Sequence, residues 1–240
     1  MFPVRHEKEL PPSLSSITFW SGFEDDPPNL GWFLRQPLRL AHFAFYLRYR
    51  GHGDFNFGWS LAALLPHLAH QRETLRAIEI GPPYTRGPSL EGLCLTGFRA
   101  LEELTLSIWA LDDRGGPGIC SLPVRAGHAA ILSAPKLRKL TLRYDCIQRY
   151  HAVNLEDFGD EHEAWLRGLT AAAAHGKAAL RHVHIDWRPG RISRRLRIDV
   201  YPWDRIDKVQ EEVRDAGILI TYPSPSVTRE EFDVMVVGQD

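Results

Sequence analysis

The sequence predicts an α/β domain in which short parallel strands alternate with helices. Three observations lead to this fold class. A short apolar pattern recurs six times along the chain, helical stretches with one apolar face lie between its copies, and no long polar linker divides the chain. The chain has 240 residues, of which 44% are hydrophobic and 25% are charged, as in an ordinary globular domain. We therefore expect one repeat domain over residues 1–225 and a C-terminal tail over residues 226–240.

The recurring pattern is L-x-x-Φ-x-Φ, where Φ is an apolar residue, and it begins at Leu14, Leu40, Leu75, Leu101, Leu137 and Leu180. Its last part alternates apolar with other residues, as a strand with one buried face does. Four copies (TLRAIEI, ALEELTL, KLRKLTL and ALRHVHI) also carry a charged residue directly after the leucine. Successive copies are 26 to 43 residues apart. This pattern predicts an irregular leucine-rich-repeat-like solenoid, in which a curved parallel sheet carries helices on its outer face.

Two helices are predicted from apolar residues that share one face. The first covers Trp59–His70 and the second covers Glu161–His175. Pro66 lies inside the first, where it removes a backbone hydrogen bond and predicts a kink. Gly176 follows the second and is expected to cap its C-terminal end.

Weaker signals predict three further elements. Ala126–Ser133 precedes a proline and is expected to form a short helix. Asp204–Ala216 carries apolar residues in helical phase, ends at Gly217, and leads into the apolar run of residues 218–220. The predicted helix and the apolar run together form a seventh helix-then-strand unit, although the strand lacks the full L-x-x-Φ-x-Φ pattern. Leu196, Ile198 and Val200 alternate and predict a short extra strand.

Charge and hydropathy limit the classes of function. The formal net charge is −1 and the isoelectric point about 6.8, so no overall field attracts nucleic acid or an anionic membrane. No apolar run approaches the roughly 20 residues that span a bilayer, and the N-terminus does not read as a signal peptide. We expect an intracellular protein, cytoplasmic or nuclear, with no membrane partner and no nucleic-acid partner.

The three cysteines are Cys94, Cys120 and Cys146. Their odd number and the absence of a C-x-x-C pair indicate neither a disulfide framework nor a zinc site. We expect all three to be small buried residues.

Several phrases of the repeat region are similar to the C-terminal half of fungal F-box/leucine-rich-repeat-like proteins. These are GFRALEELTLS, LSAPKLRKLTLRYD, the DEHEAWLRGLTAAA helix, and the late helix that ends in AGI before a strand. The resemblance covers roughly residues 40–222 and is one of pattern. Such proteins resemble substrate receptors of cullin ubiquitin ligases, in which an F-box binds the ligase adaptor and the repeats bind the substrate. The resemblance therefore implies a substrate-recognition domain.

The chain departs from that pattern near its N-terminus. An F-box opens on a leucine-proline phrase and has three helices, whereas the phrase at residues 10–14 runs directly into Ile17–Phe19 and the acidic, proline-rich segment 24–28. Such a segment does not sustain helices. We interpret residues 14–19 as the first repeat, so adaptor binding is not predicted from these residues.

If the pattern leucines face the core, the alternate residues of each strand face the open side of the sheet. Aromatic residues and arginine, which dominate binding energy at protein interfaces, are frequent among them. We predict a partner-binding surface centred on Trp109, Arg143 and His184; the alternative is a solvated sheet face. The predicted residues are Trp20, His42, Tyr46, Glu103, Trp109, Lys139, Arg143, Asp145, His184 and Asp186.

Two other functions are compatible with the sequence. His182, His184 and Asp186 share one face of a strand and could chelate a divalent metal in an enzyme, although a polar strand surface explains them more simply. Five arginines within residues 188–197 could bind phosphate or an acidic partner, although a solvated loop and strand edge is the simpler explanation.

The remaining motifs do not indicate catalysis. The acidic residues around His162, between Asp157 and Glu163, stand at the start of a predicted helix, where capping and the helix dipole favour them. No nucleotide-binding loop and no G-x-S-x-G elbow is present. We therefore predict a non-enzymatic binding protein that needs no cofactor and no metal.

Overall fold

The computed structural model describes residues 14–21, 34, 39–47, 61–81, 94–108, 126–144, 153–190 and 198–237. These residues form one sheet of seven parallel strands, whose order in space is their order along the chain. The strands are β1 (Ser16–Ser21), β2 (His42–Leu47), β3 (Ala77–Ile80), β4 (Glu103–Ser107), β5 (Lys139–Arg143), β6 (His182–Asp186) and β7 (Leu219–Thr221). The helices are α1 (Leu61–Leu68), α2 (Ala126–Leu132), α3 (Asp160–His175), α4 (Pro202–Val213) and α5 (Arg229–Val237).

The predicted α/β class and parallel sheet are confirmed. Each of β1 to β6 begins two residues after one of the six pattern leucines. The apolar run at residues 218–220 forms the seventh strand, as predicted, and pairs with β6. The two apolar positions of each pattern therefore lie side by side across the sheet, for example Leu104 beside Leu140 and Leu106 beside Leu142.

One carbonyl in each repeat connects it to the next. The carbonyl of Ser15 accepts hydrogen bonds from the N–H groups of both Ala41 and His42, at 2.8 and 3.0 Å. The same paired contact recurs at the carbonyls of Ala41, Arg76, Glu102 and Arg138, each the residue directly after a pattern leucine. These contacts form a line across the sheet at the start of the strands and set the register of every pair from β1 to β6.

The core lies on one side of the sheet. The pattern leucines from Leu40 to Leu180 are at most 1% exposed, and the inward strand residues join them in a single apolar cluster. Apolar residues of the helices belong to the same cluster, including Leu68 of α1, Ile131 of α2, Trp165 of α3 and Ile206 of α4. The described helices therefore cover one face of the sheet. No described helix is long and apolar enough to span a membrane.

The predicted helices are present with small changes at their ends. Helix α1 passes through Pro66, whose side chain is exposed, and continues as a 3-10 turn at Ala69–Gln71. Helix α2 covers seven of the eight predicted residues. Helix α3 starts one residue earlier than predicted, and α4 starts two residues earlier because Pro202 occupies its first turn.

Two helix ends differ in their backbone conformation. Gly176 caps α3 as predicted, and its N–H donates to the Ala172 carbonyl at 2.9 Å. However, Gly176 has a φ of −75°, and the left-handed residue is Lys177, with a φ of 50°. After α4, Gly217 itself is left-handed, with a φ of 69°, which glycine adopts without steric penalty.

Two sequence-based expectations are wrong. Residues 198–200 form no strand and Val200 is exposed, whereas Leu196 of the predicted strand lies outside the described residues. Cys94 is exposed rather than buried, and its thiol lies 3.5 Å from the hydroxyl of Thr96. The other two cysteines lie outside the described residues.

A helix that the sequence analysis did not predict lies within residues 226–240. Helix α5 begins after Thr228, whose N–H donates to Glu231 Oε2 at 2.8 Å while the Glu231 N–H donates to Thr228 Oγ1 at 3.2 Å. This reciprocal pair is a capping box. Phe232 packs edge-on against Tyr201, with ring centroids 5.5 Å apart, so the helix is docked on the core.

The side-chain amide of Gln210 protects the free edge of β7. The Leu219 N–H donates to the Arg181 carbonyl, so the backbone groups of Ile218 and Ile220 point away from the rest of the sheet. Gln210 Oε1 accepts from the Ile220 N–H, and Gln210 Nε2 donates to the Ile218 carbonyl at 3.4 Å. Helix α4 thus supplies the partners that a further strand would supply.

We expect Gln210→Ala to expose this edge. The variant loses both amide contacts, so the free energy of unfolding should fall by about 1 kcal/mol and the chain should self-associate with increasing concentration. Urea denaturation and sedimentation velocity measure the two effects. The neighbouring exposed Glu211→Ala is the control, and equal sedimentation of the two variants would show that the amide does not protect the edge.

His162 of α3 is buried among aromatic rings. It is 3% exposed, and its ring centroid lies 5.8 Å from those of both Tyr144 and Phe158. Its Nε2 has no hydrogen-bond partner within the described part of the chain. Burial penalises the charged imidazolium and lowers the pKa of His162 to about 4.

This histidine makes stability depend on pH. Between pH 6.5 and about 4 the unfolded chain binds a proton at this ring that the folded chain does not, so the free energy of unfolding falls as pH falls. His162→Leu should remove roughly 3 kcal/mol of that acid-induced loss, measured by denaturation at pH 7 and near pH 4. His70 is exposed, so the control variant His70→Gln should lose as much stability between pH 7 and pH 4 as the wild type does. An unchanged pH dependence in His162→Leu would contradict the assignment.

Candidate functional site

The face of the sheet opposite the helices carries the predicted binding residues. We call this surface the open face. It consists of the strand side chains that alternate with the core: Ser16, Thr18, His42, Ala44, Tyr46, Ala77, Glu79, Glu103, Thr105, Lys139, Thr141, Arg143, His182, His184, Asp186, Leu219 and Thr221. None of these side chains is buried, which confirms the predicted alternation in β1 to β6 at these positions.

Seven of the ten predicted binding residues lie on the open face: His42, Tyr46, Glu103, Lys139, Arg143, His184 and Asp186. The backbone of Trp20 belongs to β1, beside Tyr46, but its side chain lies outside the described part. Trp109 and Asp145 lie outside the described residues, as does most of the arginine run. The structure brings the described seven together on one surface.

Tyr46, Glu79 and Arg143 form a contact that we call the Tyr–Arg bridge. Arg143 Nη1 donates to Glu79 Oε1 at 2.5 Å and to the Tyr46 hydroxyl at 3.4 Å. The guanidinium carbon lies 5.6 Å from the centre of the Tyr46 ring. Tyr46 is on β2 and Arg143 on β5, so the contact spans three strand spacings, or about 14 Å. Two long side chains therefore extend toward each other across the open face.

Small residues at the ends of the two intervening strands leave room for the side chains of Tyr46 and Arg143 to meet. A Cβ on Gly81 would lie 2.7 Å from Tyr46 Cδ1, so the ring occupies the space that a larger residue would fill. Ser107, next to Arg143 in the register, was expected on the open face but is fully buried. Its Oγ has no hydrogen-bond partner among the described residues.

The environment keeps the Tyr46 phenol protonated. Burial raises its pKa, and the hydrogen bond with Glu79 and the charge of Glu79 raise it further, while Arg143 acts in the opposite direction. The cluster thus holds one negative and one positive charge, and the phenol remains a neutral hydrogen-bonding group at pH 7.

A second cluster lies at the β7 end of the open face, and we call it the His–Thr centre. His182 Nε2 lies 2.7 Å and His184 Nδ1 lies 2.9 Å from the same atom, Thr221 Oγ1. The two rings are edge-on, with centroids 6.2 Å apart. Register places both histidines on β6 directly beside β7, so strand pairing positions all three groups.

The charged residues around these clusters are paired. Lys139 Nζ lies 3.9 Å from Glu103 Oε2, and Arg188 Nε donates to Asp186 Oδ1 at 3.1 Å. Within the described ranges, no group of three or more His, Cys, Asp or Glu residues is placed to hold a metal ion. The imidazole nitrogens nearest each other point instead at a threonine hydroxyl.

The acidic residues near His162 have two structural roles. Asp157 Oδ2 accepts from the Asn154 N–H at 2.7 Å and so caps the 3-10 turn Leu155–Asp157, whereas α3 begins after Gly159 without the predicted side-chain cap. Glu163 is 9% exposed and accepts from Arg167 at 2.7 Å and from Arg205 at 2.9 Å. Arg205 belongs to α4, so Glu163 connects α3 to α4 and lies away from the open face.

Sequence analysis did not select three residues of these clusters as binding residues. Glu79 and His182 follow the same alternation as the selected residues, which is a signal that could have identified them. Thr221 is the last residue of β7, a strand without the full pattern, so the sequence did not place it beside the histidines. Gly81 follows β3 directly, but nothing in the sequence indicates which ring lies over it.

Comparison of this chain with protein-family models, with curated proteins and with solved structures finds no match.

We expect Gly81→Ala to disrupt the Tyr–Arg bridge. The new methyl group overlaps Tyr46, so the ring must move away from Arg143, and the free energy of unfolding should fall by about 1–3 kcal/mol. Gly97→Ala is the control, since its new Cβ would make only an ordinary contact, at 3.8 Å from Arg72 Cδ. Urea denaturation measures both variants, and equal stability would argue against close packing of Tyr46 on Gly81.

Proposed function

We propose that this chain is a non-enzymatic protein-interaction module of leucine-rich-repeat type, which binds a partner protein through its open face. One observation carries the proposal. Parallel sheets normally have both faces covered, whereas the described helices cover one face of this sheet and leave the other to polar and aromatic side chains. Sequential strand order, with β2 to β6 each introduced by a buried leucine, supports the repeat type.

The Tyr–Arg bridge is well suited to the centre of such a surface. Tyrosine and arginine are among the residues that contribute most to binding energy at protein interfaces. Contacts with Glu79 already fix the Arg143 side chain, so less conformational freedom is lost when a partner binds. Flanking residues such as His42 and Glu103 are exposed and supply the polar rim of an interface.

The resemblance to F-box/leucine-rich-repeat-like proteins gives this proposal a narrower form. In that form the bound partner is a protein destined for ubiquitination by a cullin ligase, and the open face is the substrate-recognition surface. The support for this form is the similarity of sequence pattern in residues 40–222, together with the strand order that accompanies it.

Affinity purification with mass spectrometry tests the proposal. The double variant Arg143→Ala/His184→Ala removes two large side chains from the open face, and we expect it to lose proteins that co-purify with the wild type. The double variant His70→Ala/Arg214→Ala removes the same residue types from exposed positions that follow α1 and α4, and it should retain them. Circular dichroism verifies that both variants are folded.

The outcomes separate the two forms of the proposal. An unchanged set of partners for a folded open-face variant would rule out this surface as the binding site. Loss of partners in the open-face variant alone would support the interaction module. Recovery of a cullin and its adaptor with the wild type would support the ligase form, and their absence would restrict the proposal to a binding module.

A further inference from the structure

The His–Thr centre has hydrogen-bonding groups that the described residues do not use. His182 contacts Thr221 through Nε2 and His184 contacts it through Nδ1. The opposite nitrogens, His182 Nδ1 and His184 Nε2, have no hydrogen-bond partner among the described residues. Both rings are partly exposed on the open face.

Counting hydrogens limits what these two free nitrogens can bind. A neutral imidazole carries one N–H, and the hydroxyl carries one O–H, so the centre has three hydrogens when both rings are neutral. Each contact with Thr221 Oγ1 uses one of them. At most one hydrogen remains for the two free nitrogens, so two neutral rings cannot both donate to a ligand. Both rings can donate only after at least one further proton has been bound.

We propose that His182, His184 and Thr221 form a binding site for the carboxylates of an acidic segment of the partner protein, and that binding takes up at least one proton. The proposal rests on the proposed function, since it assigns a ligand chemistry to one part of the open face. A carboxylate has only acceptors when ionised, so it bridges the two outward nitrogens only when both rings donate. Affinity for the acidic segment therefore rises as pH falls below neutral.

The charges that face the centre favour this assignment. Lys139 on β5 lies beside His182 in the register, and Glu103 on β4 lies beside Lys139. Arg143 lies beside Asp186. Their ion-pair partners are Glu79 and Arg188. Each positive charge is near a negative one: Lys139 with Glu103, Arg143 with Glu79, and Arg188 with Asp186. The surroundings have no excess charge, so a proton bound to the rings gives the centre a net positive charge.

Two further features fit an acidic peptide. Burial lowers the pKa of His182, and the charges of Lys139 and His184 lower it further while Glu103 opposes them, so the ring is neutral at pH 7 and has a proton to gain. Leu219 lies beside His182 in the register and is 53% exposed. It offers an apolar contact next to the charged centre, as interfaces with mixed acidic and apolar segments require.

Histidine-selective nuclear magnetic resonance of the full chain tests the site. The titration midpoints of His182 and His184 are measured alone, with a glutamate-rich peptide, with a lysine-rich peptide, and with inorganic phosphate at equal ionic strength. We expect the glutamate-rich peptide to raise both midpoints and the lysine-rich peptide to leave them unchanged. His42, also on the open face but outside the centre, should not respond.

The affinity for the glutamate-rich peptide should rise as pH falls, by up to about tenfold per pH unit for each proton bound. Thr221→Val removes the hydroxyl, so each neutral ring can turn its own hydrogen toward the ligand and the dependence on pH should become shallower. Thr221→Ser retains the hydroxyl and should keep the steeper dependence. Calorimetry over a series of pH values measures both variants.

Unchanged midpoints with the glutamate-rich peptide would overturn the proposal, and a shift with phosphate alone would show that the centre binds a free anion rather than an acidic segment. If the affinity for the glutamate-rich peptide depends equally on pH in Thr221→Val and Thr221→Ser, the hydroxyl does not limit the hydrogens that the rings can donate. These measurements need no natural partner. Their failure therefore leaves the co-purification test of the open face unaffected, and failure of that test leaves these measurements unaffected.

Discussion

In five of the six repeats, the carbonyl after the pattern leucine accepts two N–H groups from the following repeat, and the rest of the sheet depends on this contact. It joins Ser15 to Ala41 and His42, and it recurs up to Arg138 with Arg181 and His182. Because side chains alternate with a period of two, a slip of one residue would turn every core side chain outward. The carbonyl contact fixes the starting residue of each strand and so keeps all strands in the same phase.

This local contact also explains why irregular spacing is tolerated. Successive patterns are 26 to 43 residues apart, yet each strand begins two residues after its leucine. Each strand pairs only with its immediate neighbours. A longer or shorter connection between two repeats therefore leaves the register of the other strand pairs unchanged. At the last strand the pattern ends, and the Gln210 amide of α4 takes the place of the next repeat.

The sequence predicted the features that depend on periodicity and not those that depend on contacts between distant strands. Strand positions and the helices α3 and α4 follow from apolar spacing within one repeat, which a single sequence records. The Tyr–Arg bridge requires two intervening strands and a glycine beneath the ring, and none of these is visible at Tyr46 or Arg143 alone. Alternation places Ser107 on the open face, beside Arg143 in the register, but it does not reveal that Ser107 is fully buried there.

Other errors have local physical reasons. Residues 198–200 alternate as a strand does, but alternation cannot form a strand without a neighbour to pair with. Helix α5 was missed although Thr228 and Glu231 have the spacing of a capping box, because the short apolar run after them was treated as part of a tail. The exposed position of Cys94 depends on the course of a turn, which composition does not determine.

The two clusters of the open face differ in how freely their hydrogens can be rearranged. In the Tyr–Arg bridge, the guanidinium is a permanent donor and Glu79 a permanent acceptor, so the direction of their hydrogen bond is fixed. In the His–Thr centre, the hydroxyl can donate to either ring or accept from both, so the same atoms present different donors and acceptors. Since the ionised residues around both clusters are paired, long-range attraction contributes little to recognition at neutral pH. Under the proposed function, selectivity of this face arises from short-range contacts: the Tyr–Arg bridge presents a hydrogen bond of fixed direction, and the His–Thr centre presents donors that change with the proposed proton uptake.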